Sequence, residues 1–489
     1  MSAARRVSDP RSRPVFRTNS PSLFFDYFRV PYRIEEGERR STDACALARV
    51  EGAGAQAPAL YWPQPDETSA PGGYHLDGIP LFGSVATDER SAEWRKALGG
   101  RWRVHARIQD ERGHAASIWR DERGSVLLPF DPDEVMRTFW SEGYHLLRGA
   151  TRTGQAKRLA MRSYYRMRPI IPRSAQIGIR RALSRVQMRT RFPRWPAETG
   201  LHDLYDLLFR LLASVAGEPV PWIAPWPAGK SSALVLTHDV ETSLGYQHVH
   251  LLRDVELAAG CRSSWNFVPK RYAVEDRQIE ALRARGFEIG VHGLYHDGRD
   301  LESRALLEER LPEMRAYAER WHATGFRSPA THRRWEWMPL LGFDYDSSYP
   351  DTDPFEPQGG GCCTWLPFFN DDMVELPITL PQDHTLFVIL RRDESAWHAK
   401  AEFLRRRGGM ALLITHPDYM LEPARVESYR RFLDSATKDP GVWCALPSEV
   451  SAWWRRRAAS QVERAGEGWR VVGPAAGDAS VALVEPTAT

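Results

Sequence analysis

The 489-residue chain has only five cysteines, Cys45, Cys261, Cys362, Cys363 and Cys444, an odd number with no CxxC pair among them. That scarcity excludes a disulfide framework and a zinc-knuckle spacing, and it fits a reducing compartment. Long apolar runs are also missing: nothing approaches the roughly 18 consecutive apolar residues of a membrane span. The N-terminal MSAARRVSDPRSRPVF is basic but lacks the apolar core of a secretory signal. These absences point to a cytoplasmic protein without a membrane span. Net charge is nearly absent as well, at +3 from 66 Lys and Arg against 63 Asp and Glu, so no global field directs the chain to nucleic acid. With 42% hydrophobic and 26% charged residues the composition is that of a soluble globular protein, and the length predicts two or three domains.

One absence is local. From Arg148 to Arg194 there are Arg or Lys residues at 14 positions and no Asp or Glu at all. Within this stretch residues 175 to 186 place Ile177, Ile179, Leu183 and Val186 among arginines, as a basic amphipathic helix would. Such a segment suits an anionic partner: phospholipid headgroups at the inner face of a membrane, a lipid-linked glycan or an acidic polysaccharide. A solvated linker packed on acidic neighbours is the alternative.

The remaining chain divides by composition. Residues 1–20, rich in Arg, Ser and Pro, are expected to be disordered. Residues 21–149 mix strand-like pieces (59–62, 102–108, 125–130) with a helical pattern over 132–147 and read as a small α/β accessory domain, without a catalytic constellation. Residues 150–229 form a basic helical linker region that ends in the Pro- and Trp-rich connector PVPWIAPWPAG. From 230 to 457 apolar strands at 234–237, 264–268, 287–291, 324–327, 343–346, 373–378, 410–415 and 442–446 alternate with helical patterns at 248–259, 275–285, 301–321, 396–407 and 423–436. Repeated βα units predict a parallel sheet closed as a (β/α)7-8 barrel, with a doubly wound open sheet as the alternative. Residues 458–489 are expected to be a peripheral tail.

In such a barrel reactive groups sit just past the C-terminal ends of the strands. Nearly every inferred strand ends in charge: Asp239 and Glu241, then His292 and His296, Arg327 and His332, Asp346 and Asp351, Asp383 and His384, and finally His416 and Asp418. Alternation along an extended segment puts Thr237, Asp239 and Glu241 on one side and His238 and Val240 on the other. The i, i+4 spacing of His292 and His296 would place both on one face of a helical turn, and one added carboxylate completes an open three-ligand metal site. Taken singly, each residue has an ordinary structural reading as a cap, an ion pair or a buried histidine; their joint placement on one rim favours a site.

The pieces THDVE, HGLYH, RSPATH, FDYDSSYPD and LLITHPD, in this order, resemble the motifs of the polysaccharide deacetylase superfamily, carbohydrate esterase family 4, over about residues 230 to 455. The resemblance implies a distorted (β/α) barrel, which the smaller α/β domain read from residues 21–149 precedes. It also implies removal of N- or O-linked acetyl groups from a sugar or glycan with a divalent metal, zinc being the expected ion. It gives His292 and His296 as metal ligands, Asp239 as catalytic base, Arg327 as the group holding that base, and His416 as the acid that protonates the leaving group. The chain departs from the pattern at Val240, where the family has an aspartate ligand. Glu241, on the same strand face as Asp239, is the expected replacement; the rival assignment makes Asp239 the ligand, and loss of metal affinity is a third option.

Asp346, Asp383, His384 and Trp335 are expected to contact the acetylated saccharide. Asp383 and His384 have the second option of orienting His416, and Trp337 and Trp365 that of stacking on sugar rings. A C–N hydrolase acting on a small cyclic amide or ureide, and a catalytically impaired glycan- or membrane-binding protein, are the competing functions.

Overall fold

The computed structural model describes residues 15–35, 45–54, 56–64, 71–148 and 173–486, and these form a mixed α/β protein. The chain folds as two compact units. One comprises residues 1–156, 199–224 and 456–489, the other 157–198 and 225–455.

The first unit is built on a nine-stranded sheet in the order 32–34, 16–18, 45–50, 59–63, 126–127, 113–121, 102–110, 72–76, 79–83. Most neighbours are antiparallel; only 16–18 with 32–34 and 59–63 with 126–127 run parallel. An aromatic core gathers Phe24, Phe28, Tyr205, Phe209 and Trp222 from the helices Leu23–Phe28 and Gly200–Ala216 and the strand Val220–Ile223. Helix Gly200–Ala216 buries Leu201, Leu204, Tyr205, Leu208, Leu211, Leu212 and Val215, the helical periodicity of a packed stripe.

Several expectations change here. Phe16–Thr18 is a strand paired with Cys45–Val50, so the expected disorder of residues 1–20 does not hold for their described part; residues 1–14 lie outside the described residues. The helical pattern over 132–147 breaks into Pro132–Trp140 and Tyr144–Arg148, because Glu142 takes a left-handed φ of 58°. The connector at 219–229 contains the strand Val220–Ile223, which pairs antiparallel with Val481–Val484. Residues 458–489, expected as a peripheral tail, supply that partner together with the hairpin of Gln461–Ala465 and Gly468–Val472, and Ile223, Val462 and Val471 share a small core. Alternation was weak in these short, charged strands, which is why composition alone suggested a tail.

The second unit holds the βα alternation. Its sheet runs 368–370, 373–375, 345–346, 325–326, 288–291, 264–267, 232–240, 410–415, and the strand Val442–Ala445 also pairs with Ser232–Val240. Every pairing is parallel except that of Phe368–Asn370 with Met373–Glu375. All nine residues of Ser232–Val240 are buried, as expected for a continuous apolar run covered on both faces. Intervening helices lie at Val249–Ala258, Asp276–Arg283, Arg304–Trp321, Ser395–Arg406 and Pro423–Ala436. Regular pairing does not return from Met410–Thr415 to Met373–Glu375. Irregular hydrogen bonds occupy that side: Thr379 N and Leu380 N donate to Leu412 O at 3.2 and 3.0 Å, and Ile378 N donates to Tyr349 O at 2.8 Å.

The basic segment falls partly outside the described residues, at 149–172. Its remainder includes a helix at Arg173–Gln187. No helix among the described residues is long and apolar enough to cross a membrane.

Candidate active site

The site forms where the parallel strands of the second unit end. Strand Ser232–Val240 carries Asp239 at its last turn of register, opposite Asn266 on Ser264–Phe267. The Asn266 amide donates to Asp239 Oδ1 at 2.8 Å, and Arg327 Nη1 lies 3.5 Å from Oδ2. Burial pushes the Asp239 carboxyl up, but Arg327 first, then the neighbouring imidazoles and Asn266, outweigh it and hold the group below its ordinary value. Gly290 is required beneath this pair, since a Cβ there would lie 2.0 Å from Asn266 Oδ1.

Arg327 is itself fixed. It is buried, and its Nη2 donates to Thr237 Oγ1 at 3.1 Å and to Ser347 Oγ at 3.0 Å. The alternation predicted for THDVE is visible in its partners. Thr237 and Asp239 face Arg327, whereas His238 lies on the other side between Thr415 Oγ1 and Glu256 Oε1, at 2.7 and 2.6 Å, with its ring 4.0 Å from that of Trp265. Val240 is completely buried, and its carbonyl accepts from the Tyr272 hydroxyl.

Glu241, His292 and His296 come together so that one ligand atom from each lies within 4.8 Å of the others. Glu241 Oε1 is 2.9 Å from His296 Nε2 and 3.9 Å from His292 Nε2. Burial would raise the Glu241 carboxyl; His296 first, with His292 and His416, pulls it well below the ordinary value. The two histidines do not share a helical turn, contrary to the i, i+4 expectation. Residues 292–299 form an irregular loop with left-handed φ at Gly293 (63°), His296 (57°) and Gly298 (74°). A side chain at 293 would run into Asp300 Oδ2 at 2.4 Å and Pro329 at 2.6 Å, so glycine is needed there. Asp300 in turn accepts from Leu294 N and pairs with Arg310, which also grips Asp297, anchoring the loop.

A divalent metal fits this trio once the Arg271 guanidinium, which lies 2.5 Å from His296 Nδ1 and only donates, moves off that nitrogen so that the proton sits there and Nε2 is free. His292 Nδ1 lies 3.0 Å from the Arg327 carbonyl, which only accepts, so that nitrogen carries the proton and Nε2 presents a lone pair. Nε2 is buried with no hydrogen-bond partner, an arrangement that costs free energy unless something bonds to it. One carboxylate and two imidazoles are a donor set that suits a divalent cation with an open position.

On the opposite side His416 follows strand Met410–Thr415. Its Nδ1 is 2.7 Å from Asp383 Oδ1, its backbone N–H donates to Asp383 Oδ2 at 2.7 Å, and its Nε2 points toward Glu241 Oε1 at 3.7 Å. Burial would drive the imidazole proton off, but the adjacent Asp383 carboxylate outweighs it and raises the pKa to about 10.

The expected saccharide contacts fare unevenly. Asp383 is fully buried with both oxygens on His416, which places it behind the imidazole and out of reach of a sugar hydroxyl. Asp346 is also fully buried, bonded to Ser348 Oγ and N, and burial raises its carboxyl. Asp351 is buried against Lys400 at 2.8 Å. His384 remains partly exposed beside Tyr419, with ring centroids 4.6 Å apart. Trp335 is half-buried and stacks on Phe368 at 6.1 Å; Trp365 is buried against Phe403. His332 lies near Gly298 O, at 3.2 Å, and Asp418 accepts from Thr242 Oγ1. Asn266 escaped the sequence reading, although a lone amide inside the buried run SWNF was a usable signal.

No family model matches the chain, and no curated protein matches it. Among solved structures it is similar to a "putative polysaccharide deacetylase" from Mycobacterium smegmatis, at 22% identity and a TM-score of 0.40, over 47% of this chain and 93% of that one. It is also similar to the Puue allantoinase, at 19% and 0.38, over 47% and 92%. A third is a family 4 carbohydrate esterase from Streptomyces lividans, solved with acetate, at 12% and 0.29, over 44% and 93%.

Proposed function

We propose that this chain is a metal-dependent hydrolase that removes N- or O-linked acetyl groups from a sugar or glycan. The observation that carries the reading is the partnerless buried Nε2 of His292 within 4.8 Å reach of Glu241 and His296, flanked by an ionised Asp239 and a protonated His416. The hydrogen bonds from Thr379 and Leu380 to Leu412, with that from Ile378 to Tyr349, are read as completing a distorted barrel, so that all these groups share one rim.

Glu241, His292 and His296 would hold the cation, expected to be zinc, whose positive charge polarises a carbonyl and makes water more acidic. Asp239, kept ionised by Arg327 and Asn266, takes the proton from the attacking water. His416 gives its Nε2 proton to the departing amine or alcohol as the acyl bond breaks. Asp383 holds that imidazole in place and charged. Amide cleavage depends most on this proton, because an amide anion is a poor leaving group.

A second reading is kept for one observation. Trp365 is buried and one face of Trp335 is taken up by Phe368, which narrows the aromatic surface left for a sugar ring, and a small cyclic amide or ureide would need none. Metal-replete protein assayed against acetylated saccharides and cyclic amides separates the two by acetate release or ring opening. Absence of acetate from every acetylated saccharide, together with unchanged metal content in His292→Ala, would defeat the deacetylase reading.

A further inference from the structure

Helix Arg173–Gln187 is turned the wrong way for an ordinary surface helix, which buries its apolar stripe. Its body-facing side is largely polar. Arg181 Nε and Nη2 donate to Val388 O at 3.0 and 2.9 Å, Arg180 Nη2 donates to Phe355 O at 3.3 Å and lies 3.5 Å from Glu356 Oε1, and Ser184 is buried. The outward side is apolar. Ile179, Leu183 and Val186 are 37%, 39% and 69% exposed, and with exposed Ala175 and Ala182 they occupy an arc of about 100° at helical spacing. Exposed Arg185 and Arg189 border that arc, and exposed Arg191 and Arg194 follow it.

Charge sharpens the picture. Residues 148–194 hold 14 of the 66 cations and none of the 63 acids, in a chain whose formal net charge is +3. The rest of the chain is therefore net acidic, and the basicity belongs to this segment alone. A polyanionic glycan or nucleic acid would match the arginines but would leave the apolar arc in water. A bilayer with anionic headgroups matches both, since interfacial helices insert an apolar face while basic side chains reach the headgroups.

We infer that the Arg173–Gln187 helix is a peripheral docking surface for anionic phospholipid, with Ile179, Leu183 and Val186 entering the interface and Arg185 and Arg189 contacting headgroups. This does not depend on the reaction proposed above.

The full chain is to be co-sedimented with vesicles of phosphatidylcholine alone and of an equimolar phosphatidylcholine–phosphatidylglycerol mixture, over a salt series. Binding is expected only to the anionic vesicles and is expected to weaken with salt. Leu183→Glu/Val186→Glu should lower the partition coefficient at least about tenfold, and Arg185→Gln/Arg189→Gln should lower it about fivefold per arginine and flatten the salt dependence. Unchanged thermal unfolding establishes that each variant is folded; Val186→Glu alone, at the most exposed position, replaces the pair if the pair fails. No sedimentation with anionic vesicles overturns the inference. So does anionic-vesicle binding that survives the glutamates, which would mark a purely electrostatic site open to dextran sulfate.

Discussion

In the nine-stranded sheet unit the buried carboxylates of Asp121, Asp131 and Asp133 each close a stretch of backbone. Asp121 accepts from Arg123 N and Ser125 N, Asp131 caps the helix Pro132–Trp140 through Asp133 N, and Asp133 accepts from Leu23 N and Phe24 N. In the βα unit the buried acids Asp239, Glu241 and Asp383 instead face imidazoles and a guanidinium. Strand direction accounts for the difference. Antiparallel neighbours present their C-terminal ends alternately to both edges and collect nothing, whereas parallel strands deliver every C-terminal end to one edge. Among these six acids, those of the first unit bond backbone N–H groups, whereas those at the proposed site of the second face titratable side chains brought in from other strands.

The sharpest way to break this contrast is to remove a site group and find only a structural effect. His292→Ala should abolish stoichiometric metal and lower turnover by roughly a thousandfold, the several kcal/mol that a Lewis acid contributes; metal analysis and acetate release check it. Retained turnover would return His292 to the class of ordinary buried histidines.

Next in size is the pair behind the acid. The folded pKa of His416 is raised above its unfolded value, to about 10. Its protonation therefore contributes stability that is complete below the ordinary histidine pKa of about 6.5 and is lost as pH rises through about 10. Turnover should fall on an alkaline limb as His416 loses that proton. Asp383→Asn removes the anion that holds the proton, so the limb should move down toward neutrality and the rate at pH 8 should drop about tenfold. A pH–rate profile unaltered by Asp383→Asn would mean that His416 is not the acid.

The smallest effect is expected in the other unit. Asp133→Ala leaves Leu23 N and Phe24 N without their acceptor and should cost about 1–3 kcal/mol in denaturant unfolding. Activity per folded molecule should stay within the error of the wild type. Loss of activity at full folding would mean that the sheet unit takes part in the chemistry.

Much of the βα unit was legible because burial on both faces leaves long apolar strands, and because those strands end in charge. The strands around 234–237, 264–268 and 410–415 and the helix at 423–436 coincide with elements of the fold for that reason. The nine-stranded sheet was largely illegible: strands such as Trp102–Asp110 expose most of one face to charged residues, and the short edge strands carry too few positions for a period to emerge. Within the site, side-chain identity was readable but depth was not. Asp346 and Asp383 looked like the other strand-end acids, and only packing shows one bonded to Ser348 and the other behind His416. The histidine spacing suggested a helix where Gly293 and a left-handed His296 build a loop instead. Val240 stands where a ligand was missing in sequence; in space Glu241 reaches His296 while Val240 stays buried.

The division of labour between the two carboxylates of the first motif is the claim on which the proposed chemistry turns, and metal content in two variants tests it most directly. After loading with zinc and desalting, Glu241→Gln should retain little metal, while Asp239→Asn should bind zinc stoichiometrically and yet lose turnover. Zinc held by Glu241→Gln and lost by Asp239→Asn would exchange the roles of ligand and base and contradict the account.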